Sequence, residues 1–449
     1  MIKQQHLARC LSKRAIGWAW AMAVMLAAGS TVADDLDRTF LYRGDVDKFV
    51  KEAPPAPLYI TGGTLIDGEG QPRPNPGILM RDGRFVAIGG AEPPADAKRI
   101  DAQGKWIVPG MFDLHAHITF HLPSGFHVED DTLNALRSER FLESYQRIGV
   151  TTVRDVASRN NVGYSLKRAQ RMGLMRGARL YVSGPGITVS GGHATEFQPY
   201  EPPAYAVEAD GPWQMRQRVR QAVKLGADFI KVLPPLTLEE MRAVVDEARF
   251  WKLRVTAHAG GLQDLSLQTA MSSVEAGVDS LEHLYPYGSS ADTRKVLAKI
   301  VERGIYVVPT VAYHLNELAS LREQDRQWVK EHVQHTNETM FALLKQMKAA
   351  GVKLAVGTDS NAIHMLQIDQ LYLSELKGLQ QGGLSNAEII RAATLTSAEA
   401  MGLGGEAGSI RAGKRADLSL LDRDPLQTLD ALVVPSVVIQ QGEVVYSRQ

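Results

Sequence analysis

The chain has 449 residues, with 50 basic and 50 acidic side chains, 44% hydrophobic residues and 22% charged ones. That balance excludes a disordered, collagenous or coiled-coil protein and offers nucleic acid no basic field, while the length allows a large core. The single cysteine, Cys10, excludes an internal disulfide, cysteine-ligated zinc and an iron–sulfur cluster.

At the N-terminus, Lys3, Arg9, Lys13 and Arg14 precede an uncharged, largely apolar run over 15–29. Thr31-Val32-Ala33 then offers small residues before Asp34. The pattern predicts a signal peptide over 1–33 and a periplasmic or secreted mature chain, with an N-terminal membrane anchor as the rival reading. A polar lead-in covers 34–56. Over 57–110 short strands alternate with glycine turns, as in Leu58-Tyr59-Ile60 before Gly62-Gly63 and Phe85-Val86-Ala87-Ile88 before Gly89-Gly90. The segment 405–449 reads alike, with Leu418-Ser419-Leu420-Leu421 and Val437-Val438-Ile439-Gln440 as strands. Two β-rich ends around a different middle predict one small β-sandwich domain formed from both chain ends.

The middle, 111–404, alternates strand-like runs with amphipathic helices. The runs are 112–118, 150–156, 178–184, 227–233, 254–259, 280–284, 305–311 and 353–359. Helical patterns include Glu239 to Phe250 and Lys295 to Glu302. Eight such units predict an α/β fold of the (β/α)8 TIM barrel type. The doubly wound competitor lacks a G-x-G-x-x-G after the first strand of a repeat. Two long connections, about 119–131 and 184–213, are expected to be lids or binding loops.

In a barrel, reactive groups gather where strands end. Here the strand ends carry His115 and His117, Lys231, His258, His283 and Asp359. His115 and His117 share one side because side chains alternate along a strand, and two imidazoles on one face can bind one metal ion. Each residue alone reads equally well as a packed polar group; the ensemble at one end is what points to a metal site. His193, after Gly191-Gly192 in the second long loop, is the candidate substrate or oxyanion contact. Arg154 suits either a substrate carboxylate or a structural ion pair. Tyr285, Tyr287, Tyr313 and His314 would line the pocket or merely pack, and His121 and His127 would lie at its rim.

This arrangement resembles the amidohydrolase superfamily, with H-x-H on strand 1, Lys on 4, His on 5 and 6, and Asp on 8. Gly62-Gly63-Thr64-Leu65-Ile66-Asp67-Gly68, Val108-Pro109-Gly110-Met111-Phe112-Asp113 and Gly413-Lys414-Arg415-Ala416-Asp417 resemble its flanking sandwich. Thr151-Thr152-Val153-Arg154-Asp155 and Ser190-Gly191-Gly192-His193 resemble its imidazolonepropionase-like and prolidase-like (Xaa-Pro or Xaa-Arg dipeptidase) branch. The resemblance implies two divalent metal ions, usually zinc. His115, His117 and Asp359 would hold the first, and His258 and His283 the second. Lys231, converted by CO2 to a carbamate, would bridge them. It further implies hydroxide attack on a substrate carbonyl, with Asp359 as the catalytic proton carrier. Two positions depart from the prolidase-like pattern: Gly260 follows His258 at the second place, and Leu233-Pro234-Pro235-Leu236 replaces a glycine-rich turn.

The expected function is therefore an exported, metal-dependent hydrolase of a C–N bond in an amide, dipeptide or cyclic amide. A lactone or ester hydrolase on the same centre is the alternative. A deaminase ranks lower, because Ala259-Gly260-Gly261 follows His258 without a glutamate and Lys231 is present. A non-catalytic periplasmic binding protein is the reading from another class. The expected partner is a small amide or peptide-like molecule and not nucleic acid; a homo-oligomer is left open.

Overall fold

A computed structural model describes residues 55–69, 71–90, 92–119, 131–195, 205–260, 263–283, 289–320 and 337–448. The chain divides into units 1–44 and 45–449, and every described residue belongs to the second. The expected signal peptide and most of the first long connection lie outside the described residues.

Near the middle of the chain, consecutive strands run parallel. Met111–Ala116, Val150–Asp155 and Arg179–Val182 form a three-stranded sheet. A seven-stranded sheet follows in the order Ala206–Glu208, Gly186–Thr188, Phe229–Val232, Arg254–His258, Ser280–Glu282, Tyr306–Val308 and Lys353–Leu354. Every residue of Met111–Ala116, Val150–Asp155 and Phe229–Val232 is buried. Such uniform burial is the mark of parallel strands covered on both faces. Backbone hydrogen bonds link the two sheets at both edges, from Leu114 N to Val356 O at 2.9 Å and from Asp228 N to Val182 O at 2.8 Å.

All eight expected runs contain a strand of this parallel set. The expected loop 184–213 is corrected in part, because it holds two further strands, Gly186–Thr188 and Ala206–Glu208, paired in parallel from Gly186↔Ala206 to Thr188↔Glu208. The cause is local packing. Gly186 lies so close to Leu233 that a Cβ would meet its Cδ1 at 2.6 Å, which brings this stretch against Phe229–Val232.

The covering helices begin where the sequence supplies partners for their free N–H groups. Thr237 caps Leu238–Phe250 in a reciprocal box with Glu240, and Ser385 does the same for Asn386–Arg391 with Glu388. The helix Gly211–Leu225 ends at Gly226, whose φ of 95° suits a left-handed cap that other residues adopt at a cost. Among the described residues, no helix is long and apolar enough to cross a membrane.

The two chain ends share sheets. A six-stranded sheet pairs Leu418–Leu421 antiparallel with Trp106–Pro109, from Leu418↔Pro109 to Leu421↔Trp106. A four-stranded sheet contains Leu58–Thr61, Ile78–Arg81, Arg84–Ile88 and Lys98–Asp101. Leu58, Ile60, Met80 and Phe85 from this sheet form one apolar cluster with Ile107, Leu418, Leu420 and Ile439 from the other.

Candidate metal centre

The site begins with two segments brought unusually close. Asp359 N donates to His115 O at 2.7 Å, and His117 N donates to Ser360 O at 2.7 Å. Gly357 permits this approach: a Cβ there would lie 2.4 Å from Val308 Cγ1 and 2.7 Å from His115 Cβ. Gly357→Ala is therefore expected to lower the unfolding free energy by about 1–3 kcal/mol in denaturant titrations. An unchanged midpoint and slope would contradict this packing.

Asp113 ties the same segments together from behind. Its buried carboxylate accepts from the backbone N–H of His115 and of Thr358, both at 3.1 Å, from the Thr358 hydroxyl at 2.6 Å and from the Tyr145 hydroxyl at 3.0 Å. Burial raises this carboxyl to about 6, even though all four bonds favour the ionised form.

The result is a convergence of polar atoms. Asp359 Oδ1 lies 3.1 Å from His117 Nε2 and 3.5 Å from His115 Nε2, and Asp359 Oδ2 lies 3.6 Å from His283 Nδ1. One ligand atom each from His115, His117 and Asp359 lie within 4.8 Å of one another. Burial works to raise the Asp359 carboxyl, but the neighbouring His115 and His117 outweigh it and hold the group well below the usual carboxylate range.

Two further imidazoles continue the cluster. The His283 ring centroid is 4.6 Å from that of His115 and 4.1 Å from that of His258. His193, half-buried, has its ring 4.6 Å from His258 and its backbone N–H on Pro234 O at 2.8 Å. His314 is buried with its ring 6.3 Å from His283. His283, Thr310 and Asp359 adopt φ values of 75°, 51° and 56°. That left-handed region is costly for such residues, so strain is concentrated where these side chains meet.

Lys231 is 1% exposed, and among the described residues its Nζ has no hydrogen-bond partner. Burial lowers this amine to about 8, with Glu282 and Asp359 opposing the shift. Burial, aided by the Lys231 charge, brings His115 down to about 4. His258 and His283 are likewise held well below the histidine range, by burial first and then by neighbouring cationic groups. The set thus presents the imidazoles of His115, His258 and His283 held neutral by burial, an ionised Asp359 carboxylate and the buried nitrogen of Lys231. Such donors fit divalent cations. The tightest convergence is His115, His117 and Asp359; His258, His283 and Lys231 stand beside it.

Arg154 is committed to the interior. Its Nη2 is 2.6 Å from Glu282 Oε1, and its Nε donates to Leu114 O at 2.5 Å, so it forms the structural ion pair of the two readings above. Glu282 is the residue that strand-end reading passed over, although it stands in Leu281-Glu282-His283. A signal was present: a glutamate inside a buried strand needs a cation, and Arg154 stands near the end of another strand-like run. Tyr313 stacks edge-on to His314 at 6.0 Å. His121, His127, Tyr285 and Tyr287 lie outside the described residues.

Residues 106–445 match the amidohydrolase family. The imidazolonepropionase of Rhizorhabdus wittichii is 27% identical over 397 residues, covering 77% of this chain and 87% of that protein. A crystal structure of a Xaa-Pro dipeptidase with bound methionine in the active site is similar at a TM-score of 0.73 and 24% identity, covering 88% of this chain and 100% of the other. A crystal structure of a prolidase complexed with N-methylphosphonate-L-proline is similar at a TM-score of 0.70 and 26% identity, covering 87% and 100%. The family match takes in the parallel strands that carry the histidines together with Trp106–Pro109 and Leu418–Leu421 of one terminal sheet, and the chain belongs to the amidohydrolase family of metal-dependent hydrolases.

Proposed function

We propose that the protein is an exported hydrolase that cleaves a C–N bond in an amide, dipeptide or cyclic amide with the help of two divalent cations, zinc by the character of the donors. The observation that carries this reading is the meeting of His115, His117 and Asp359 beside His258, His283 and the unpartnered Lys231. His115, His117 and Asp359 would hold one cation and His258 and His283 the other. Lys231, as a CO2-derived carbamate, would join them. The modification suits its surroundings, because it replaces a buried cationic group by an anion next to metal ions.

Magnitudes show why side chains alone would not suffice. Water has a pKa of about 15.7 and a carboxylic acid about 3.9, a gap of roughly 12 units, or about 16 kcal/mol. Divalent cations held here would bring the water near neutrality and polarise the substrate carbonyl. The chain's own part is proton handling and orientation. An Asp359 carboxylate oxygen takes the proton of the attacking water and returns it to the leaving nitrogen. His193, at the edge of the imidazole cluster, donates a hydrogen bond to the carbonyl oxygen as negative charge develops there.

Hydrogen bonds at both edges of the three-stranded parallel sheet support a closed (β/α)8 barrel over 111–404, flanked by a β-sandwich from 57–110 and 405–449. Export rests on the sequence of residues 1–33. The imidazolonepropionase and prolidase likenesses support cyclic amides and dipeptides as the first substrates to try.

The test is a panel of N-acyl amino acids, dipeptides, cyclic amides, esters and lactones, with and without prior treatment by dipicolinate. Hydrolysis of an amide that vanishes on chelation and returns with zinc is the expected result. Turnover confined to esters or lactones, release of free ammonia, or full activity without metal would each overturn the reading.

A further inference from the structure

Glu282 is fully buried and fully engaged. Its Oε2 lies 2.7 Å from His115 Nδ1, while Oε1 is 2.6 Å from Arg154 Nη2. The Thr256 hydroxyl also donates to Oε1, as does the Ser280 hydroxyl at 3.1 Å. Arg154 is fixed in turn, with Nε on Leu114 O and its guanidinium 5.2 Å from the Phe229 ring centroid. Leu114 O belongs to the peptide group that leads into His115. The ion pair therefore grips His115 at two points, its backbone and its ring.

The geometry points to Glu282, held by Arg154, as the positioning residue of the metal centre: it accepts the His115 Nδ1–H and so turns the Nε2 lone pair towards Asp359. The chemistry follows from what each atom can do. An ionised carboxylate accepts hydrogen bonds and donates none, so the ring nitrogen facing it carries the hydrogen and the other keeps its lone pair. That other nitrogen is the one 3.5 Å from Asp359 Oδ1. A free imidazole is divided between two tautomers, and the one with hydrogen on Nε2 cannot bind a cation there. Carboxylate partners of this kind raise a ligand's basicity and fix its ring, and losing one weakens metal affinity about 10–100-fold.

The inference rests on the proposed reading of His115 as a metal ligand, and the experiment separates the two. Removing Glu282 alone would strand a buried guanidinium, so the main variant is Arg154→Met/Glu282→Met, which exchanges the pair for apolar side chains of similar length. Zinc affinity of the full-length protein is measured by competition with a chromophoric chelator, alongside the melting temperature of the metal-free form. The expected result is a 10–100-fold loss of zinc affinity in the double variant with little change in metal-free melting, and a smaller loss in Glu282→Gln, which keeps a neutral oxygen acceptor. Nitrogen-15 NMR of histidine-labelled, metal-free wild type is expected to show His115 with its hydrogen on Nδ1. Wild-type affinity in both variants would overturn the inference, and so would His115 carrying its hydrogen on Nε2 in the wild type, a result that stands even if the double variant fails to fold. Failure of the wild type itself to bind zinc would instead remove the metal-site reading, and this inference with it.

Discussion

Asp359→Asn is expected to fold, to keep most of its metal and to lose about 10²–10⁴-fold in kcat. The substitution preserves shape and one carbonyl oxygen but removes the capacity to take up a proton at that position. In the native centre this carboxylate faces three imidazoles, of His115, His117 and His283, with its nearest nitrogen 3.1 Å away. Burial works against its charge, and the imidazoles overcome that opposition. It is therefore ionised and positioned before substrate arrives. Circular dichroism and metal analysis separate a loss of chemistry from a loss of fold. Near-normal kcat in a folded, metal-loaded variant would exclude Asp359 as the proton carrier.

Lys231→Met is the second substitution with a large expected effect. Its side chain is 1% exposed with an unsatisfied Nζ, so methionine occupies the volume while removing the nitrogen. Bound metal is expected to fall from two per chain towards one, with a loss of turnover of at least the size expected for Asp359→Asn. The lysine also predicts a pH dependence. Only the neutral amine reacts with CO2, and burial lowers this one to about 8. At pH 7.4 about a fifth of such amines are neutral, against about 0.1% at the ordinary lysine value. Metal-free protein prepared without CO2 should thus regain activity when bicarbonate and zinc are added. At a fixed concentration of dissolved CO2, the rate should rise with pH through about 8 and level off above it. A rate that climbs steadily to pH 10, or activity that needs no bicarbonate, would contradict a carbamate formed on a lowered amine.

Much of this organisation was legible in the sequence because it follows from short-range rules. Short apolar runs alternating with amphipathic helical patterns located the parallel strands, and glycine-punctuated strands at both ends located the shared sheets. The H-x-H at the end of Met111–Ala116 and the polar residues ending later strands led directly to the imidazole cluster. What escaped was set by contacts between distant segments. Glu282 matters because Arg154, 128 positions earlier, reaches it across the interior. Asp113 matters because Thr358 packs 245 positions away from it. The strands Gly186–Thr188 and Ala206–Glu208 escaped because a run rich in glycine and proline has little strand propensity of its own and depends on Phe229–Val232 for pairing.

Anomalous scattering from crystals grown with zinc, recorded above and below its absorption edge, decides whether these side chains hold a pair of cations. Two peaks per chain are expected, one between His115, His117 and Asp359 and the other at His258 and His283, with continuous density from Lys231 reaching both. Zinc bound elsewhere, or a cluster whose imidazoles pair only with protein groups at full zinc saturation, would contradict this expectation.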